Sequence, residues 1–550
     1  MTAARPSVVA IGIDAADPDL VDRWMAEGAL PNLRRLRERG AFARLANFDF
    51  PKAEITWTTF LTGCSPERTG FWSQYRFDPA SYGIASDKHR SYDFEEIPPF
   101  YAAGPGFRVA ALDIPQTRLS PRVDGVQVLG WGAHSSYSPS HSEPAGLLAE
   151  LTERHGPHPA LNKDHGDTRD VAALERLARD LETGIARRAA IAIDLLSRER
   201  WSLLLTAFCE THAAGHIFWH LGRSSHPLHA AIAATARDAL KSVYMATDRA
   251  LGEIVARAPA DATVVVFSLN GMGPSAVEFP SLVFLPEALF RLSFPGRAAL
   301  ARGRPGTPVG APILDGLAPQ DSLWRLVEDG SRARRFLRRA LPARLFKPWR
   351  FPSADLFGTF DLAAMNAPFA SCPAHWYRKS WPRMRAFALP SYSEGLVRVN
   401  LAGREAGGVV PPAEFDAVAR EVEALVLGLR DTRTGRPIAK EVRRARTRPD
   451  DRDPRRPDAD LVVLWNDEPA TDTIEGAAIG RIGPVPYFRT GGHHPEGFVC
   501  AAGPGIGAGS ALAGVHAIDL APTLLALMGA PVPEVLEGKR LFERVAARAA

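Results

Sequence analysis

Four short runs in this chain are apolar at almost every position, where a strand with one face in water would alternate apolar with polar. They lie at 7–13 (SVVAIGI), 107–112 (FRVAAL), 201–208 (WSLLLTAF) and 262–268 (ATVVVFS). Strands of this kind are buried on both faces, which predicts a mostly parallel sheet covered on each side by helices. Helical spacing separates them: Leu30, Leu33 and Leu36 follow the first run, a pattern over 170–198 precedes the third, and another over 226–258 precedes the fourth. Three of the runs empty into polar segments, Asp14 after the first, ETHAAGH after the third and LNGMGPS after the fourth. In a sheet of this class, functional groups gather beyond the carboxyl ends of the strands. With 46% hydrophobic and 23% charged residues, the 550-residue chain has material for a large core, and disordered and fibrous classes are excluded.

The rhythm of strand and helix breaks between about 280 and 455, where Pro and Arg are dense. We expect a discontinuous core at 1–280 and 455–550 with an inserted cap at 281–454. The strand ADLVVLW, after the charged loop 447–458, is expected to open the return to the core, and the last helix is expected to end before Pro531 and Pro533. Eight basic residues fall between Arg332 and Arg350. They form either a surface for an anionic substrate or membrane, or a solvated amphipathic helix with Phe336, Leu337 and Leu341 turned inward.

Charge sets limits on partners: 66 basic against 62 acidic residues leave a net +4, too weak a field to imply a nucleic-acid partner. Only 8 of the 66 are Lys, a skew expected of a GC-rich bacterial genome. Cys64, Cys209, Cys372 and Cys500 are too far apart in sequence for a metal knuckle, and a cytoplasmic location is expected. No run of 18 apolar residues predicts a spanning helix.

His212 and His216 stand four apart in ETHAAGH, so on a helix both imidazoles share one face and can converge on one cation. Spaced histidines also occur as plain structural pairs. A third imidazole is available at His493 or His494 in GGHHPEG. Asp14, placed at a strand end, is either a metal ligand or a helix N-cap. Glu210 is either a general base or a carboxylate that orients a ligating histidine. Five hydroxyl residues lie from Thr56 to Ser65, and a hydroxyl beside a metal can become a nucleophile. Asn270 offers a neutral oxygen ligand or serves only as a turn residue.

Taken together, six segments in order resemble the type I phosphodiesterase/nucleotide pyrophosphatase branch of the alkaline phosphatase superfamily. They are IGIDAADPDLVDRW with LPNLRRLRERG, WTTFLTGCSPERTGFW, THAAGHIFWH, FSLNGMG, GGHHPEGFVCAAGPGI and IDLAPTLLALMGAPVPEVLEGKRLF. FALPSYSEGLVRVNLAGREAGG is similar to the family's link between core and cap. The resemblance implies a three-layer α/β sandwich and a site for two metal ions, usually zinc, with a Thr or Ser nucleophile. Carried over residue by residue, one metal would take His212, where the family has Asp, together with His216 and His493. The other would take Asp14 and an Asp-His pair that here reads Leu269-Asn270. The nucleophile position falls on Ala53, with Thr56 the nearest hydroxyl in sequence. The expectation is therefore a hydrolase of a small phosphate-containing anion that holds one zinc ion. A catalytically silent scaffold and a non-hydrolytic group-transfer enzyme are the alternatives.

Overall fold

The structure, a computed structural model, describes residues 6–52, 55–85, 91–132, 140–161, 170–232, 238–300, 336, 340, 373–485, 487 and 489–542. All four apolar runs form strands of one ten-stranded sheet. Across its middle, Thr263–Ser268, Val8–Ile13, Leu203–Phe208, Val109–Leu112 and Gly125–Leu129 lie side by side and parallel. Register aligns the strand starts: Val8 stands opposite Leu203 on one side and Thr263 on the other.

Successive side chains of these strands enter different cores, which is the physical content of an all-apolar run. Val9, Ile11 and Ile13 join Leu204, Phe208, Val264 and Val266 on one face, while Val8, Ala10, Leu203, Leu205, Val265 and Phe267 pack on the other. The first face is covered by Val171–Arg198 and Ala239–Arg257, whose N-caps Asp170 and Asp238 accept from the N–H groups of Ala173 and Lys241. Thr56–Thr62 and Leu520–Met528 cover the second. The fold is a three-layer α/β sandwich.

The chain returns to this sheet late. Gly497–Ala502 runs antiparallel between Thr263–Ser268 and Ala41–Ala46. Leu461–Trp465, expected in the core, lies instead in a separate four-stranded antiparallel sheet with Ala386–Leu389, Gly395–Val399 and Ala439–Arg444. The reason is that LVVLW is also buried at every position, in an apolar cluster that holds Leu285, Val422 and Phe415, and burial alone does not say which sheet a strand joins. The helix expected over 226–258 is Ala239–Arg257, preceded by a single turn at His229–Ile232. The last helix stops at Gly529, whose φ of +71° ends it ahead of the prolines.

The basic segment lies outside the described residues except for Phe336 and Ala340, both helical. Phe336 is 71% exposed, so the inward packing expected of it is not found, and Leu337 and Leu341 lie outside the described residues. No helix among the described residues is long and apolar enough to cross a membrane.

Candidate metal centre

The Leu203–Phe208 strand passes through Cys209 into the helix Glu210–Gly222. Thr211 anchors its first turn: the hydroxyl donates to the carbonyl of Asp14 at 2.7 Å and to that of Phe208 at 3.0 Å, tying the helix to the ends of two adjacent strands. His212 and His216 then fall one turn apart on the same side of a helix that is buried all round.

The third imidazole arrives on a two-stranded ribbon. Gly271–Pro274 pairs antiparallel with Gly491–His494, and Met272 stands opposite His493. This ribbon packs tightly on the helix. The N–H of Thr490 donates to the His216 carbonyl at 2.7 Å, and a Cβ on Gly491 would come within 2.1 Å of the Gly215 carbonyl oxygen. Only glycine fits at Gly491, and that close approach lets His493 reach the helix.

The three Nε2 atoms face one another. His212 Nε2 is 3.2 Å from His493 Nε2 and 3.3 Å from His216 Nε2, and the ligand atoms of all three residues lie within 4.8 Å of one another. A tetrahedron built with Zn–N bonds of about 2.0–2.1 Å has edges of roughly 3.3 Å, which the two separations from His212 match. His216 is preset for this role: its Nδ1 lies 2.9 Å from the Gly491 carbonyl, which can only accept, so the proton sits on Nδ1 and the Nε2 lone pair faces inward. Glu278 Oε1 lies 3.4 Å from the same Nδ1, while Arg489 donates to Oε2 of Glu278 at 3.3 Å.

The other expected residues are placed differently. Asp14 is buried near the helix start but stands outside the three-histidine group, and its Oδ1 accepts from the indole N–H of Trp57 at 2.9 Å. Asn270 adjoins that group: its carboxamide nitrogen lies 2.9 Å from Nδ1 of His493. His494 stands opposite Gly271, and its Nδ1 accepts from the Glu496 N–H. Thr56 is the first residue of its helix, buried, with Ile55 at the N-cap. Ala53 lies outside the described residues. Leu269 is buried in the apolar cluster of Trp57 and Phe267, where a metal ligand would need an oxygen or nitrogen.

The Glu210 carboxylate is engaged by residues other than the three imidazoles. Its Oε1 accepts from Nε of Arg188 at 3.1 Å and from Nε2 of His158 at 3.0 Å. Two positions before His212 on the helix, its side chain leaves on a different face. Burial works against the charged form, yet the Arg188 guanidinium and the His158 contact hold the Glu210 carboxyl below its ordinary range. Arg188 also donates to Asp113 Oδ2 at 2.8 Å, and Asp113 accepts from the N–H groups of Trp131 and Gly132. Asp113, Arg188 and His158 went unnoticed in the sequence. The available signal was Asp113 itself, which ends the Val109–Leu112 strand just as Asp14 ends Val8–Ile13.

No curated protein sequence matches the chain. Among solved structures, phosphonoacetate hydrolase from Sinorhizobium meliloti 1021 in complex with phosphonoformate is similar at 13% identity, with 96% of each chain covered and a TM-score of 0.47. Human ectonucleotide pyrophosphatase/phosphodiesterase 5 is similar at 13% identity, covering 98% of this chain and 99% of its own, with a TM-score of 0.46. The profile of the type I phosphodiesterase/nucleotide pyrophosphatase family matches residues 8–308, more than half of the length, and the chain belongs to that family.

Proposed function

We propose that this protein is a metal-dependent hydrolase of a small phosphate-containing anion, and that it works with one zinc ion held by His212, His216 and His493. The observation that carries this reading is the meeting of three imidazoles, with His212 Nε2 3.2 Å from His493 Nε2 and 3.3 Å from His216 Nε2, and all three ligand atoms within 4.8 Å of one another. When bound, such an ion supplies a Lewis acid beside a phosphoryl oxygen and offsets the charge that develops there.

What the chain itself contributes is positioning. Gly491 fixes the tautomer of His216, and Thr211 locks the helix that carries His212 and His216 to the sheet. A second family-type metal pair is not available from Leu269 and Asn270, because Leu269 carries no donor. At the nucleophile position Ala53 carries no hydroxyl, so the reaction proposed is direct attack of water on phosphorus without a covalent enzyme intermediate. The family membership supports a phosphodiesterase-like hydrolase as the reaction class. The inserted cap is the segment we propose selects the substrate, and the cytoplasm is the proposed location. The loss of the nucleophile favours a second reading, a silent scaffold that keeps only the fold.

The two separate in one assay. Purified protein is incubated with a chromogenic phosphodiester and, in parallel, a phosphomonoester, before and after dialysis against a chelator. We expect slow hydrolysis that disappears with the chelator and returns on adding zinc. A zinc-loaded protein that turns over neither ester would favour the scaffold.

A further inference from the structure

The contact between Asn270 and His493 reaches past the ligand set. Asn270 is 2% exposed and held firmly: its backbone carbonyl accepts from the Ser268 hydroxyl at 2.7 Å, and the next residue, Gly271, opens the ribbon that carries His493. A Cβ on Gly271 would stand 2.7 Å from the Glu496 carbonyl oxygen, so the chain here packs closely on the segment after the ribbon. The carboxamide is therefore presented to Nδ1 of His493 from a rigid support, at 2.9 Å.

Which atom of the carboxamide faces Nδ1 decides what Nε2 of His493 can do. As placed, the NH2 group of Asn270 donates to Nδ1, which puts the imidazole proton on Nε2, 3.2 Å from His212 Nε2. In that tautomer, Nε2 donates to His212 and has no lone pair for a cation. A half turn of the carboxamide brings its carbonyl oxygen to the same place. Oδ1 then accepts from Nδ1–H and the Nε2 lone pair is released. Few side chains serve both tautomers from one position: a carboxylate only accepts, an ammonium only donates, and leucine does neither.

We infer that Asn270 is a positioning residue for His493, and that its carboxamide turns from donor to acceptor as the three histidines take up a cation. This rests on the proposed zinc site and deepens it. Asn270 is then no ligand, and the residue at this place in the sequence supports the surviving centre through hydrogen bonding.

The test uses the full chain and zinc alone. Long-range 1H–15N spectra of histidine-labelled wild type should show His493 protonated on Nε2 without metal and on Nδ1 with zinc. Zinc affinity, read by competition with a chromogenic chelator, should fall about 10–100-fold in Asn270→Ala, the range for loss of such a partner. Asn270→Asp, which can only accept, should bind at least as tightly as wild type. Three results would overturn the inference: a His493 tautomer unchanged by zinc, wild-type affinity in Asn270→Ala, or an Asn270→Asp protein as weak as the alanine variant. The first spectra need no variant, so a misfolded Asn270→Ala protein leaves the inference exposed to them. If wild type takes up no zinc at all, the underlying metal site fails and the inference falls with it. If wild type binds zinc while the tautomer stays fixed, only the role of Asn270 is lost.

Discussion

Arg188→Met is expected to cost about 3–5 kcal/mol of folding stability, the range for removing one partner of a buried ion pair. Arg188, Asp113 and Glu210 are all completely or almost completely buried, and the guanidinium donates to both carboxylates and to the carbonyl of Gly132. Methionine fills most of the volume but leaves two carboxylates without their cation. The pH dependence gives the mechanism a second signature. In wild type, Glu210 titrates below its ordinary range, so its contribution is present above that range and lost as pH falls below it, through the lowered folded value. In the variant the same carboxyl, buried without a cation, titrates above the ordinary range and protonates more readily. The stability gap between the two proteins should therefore be widest at neutral pH and narrow as the medium becomes acidic. Urea unfolding at several pH values measures it, and a gap that stays constant would show that packing rather than charge carries the effect. Adding Asp113→Asn and Glu210→Gln to Arg188→Met should recover part of the loss.

The second large effect is expected at His216. Structural zinc sites release about 10–16 kcal/mol over four ligands, so one imidazole is worth roughly 3 kcal/mol, on the order of a hundredfold to a thousandfold in affinity. His216→Ala should lose zinc by that factor in a chelator competition while its helix persists, because alanine is the strongest helix former. His220→Ala is the matched control. His220 is as deeply buried one turn further on, but its Nδ1 is hydrogen-bonded to the Thr490 hydroxyl at 3.0 Å and it stands outside the three-histidine group. It should lower stability and leave zinc affinity unchanged. Equal losses in the two variants would mean that zinc responds to general loosening of the helix and that His216 is not a ligand.

The central sheet was legible because its strands are apolar on both faces, a pattern that survives in one dimension. Leu461–Trp465 misled for the same reason, since it is equally apolar and sits in a different sheet. His212 and His216 were visible through helical spacing, and His493 through its glycine neighbours. The ribbon that delivers His493 was not, because the pairing of Gly271–Pro274 with Gly491–His494 joins segments over 200 residues apart. Glu210 illustrates the other limit. Its place beside the histidines suggested chemistry, but its partners Arg188 and His158 come from elsewhere in the chain, and a carboxylate's role depends on those partners. Asn270 was read as a ligand or turn residue, and only its distance to Nδ1 of His493 points to a third role.

Elemental analysis of the purified wild-type chain, without added metal and after gel filtration, tests the proposed one-metal centre most directly. The account predicts one equivalent of zinc per chain, because three converging imidazoles form one site and Leu269 takes a ligand away from the second. Two equivalents would show that a second centre assembles from residues assigned here to packing, and none, with no uptake on zinc titration, would contradict the metal centre itself.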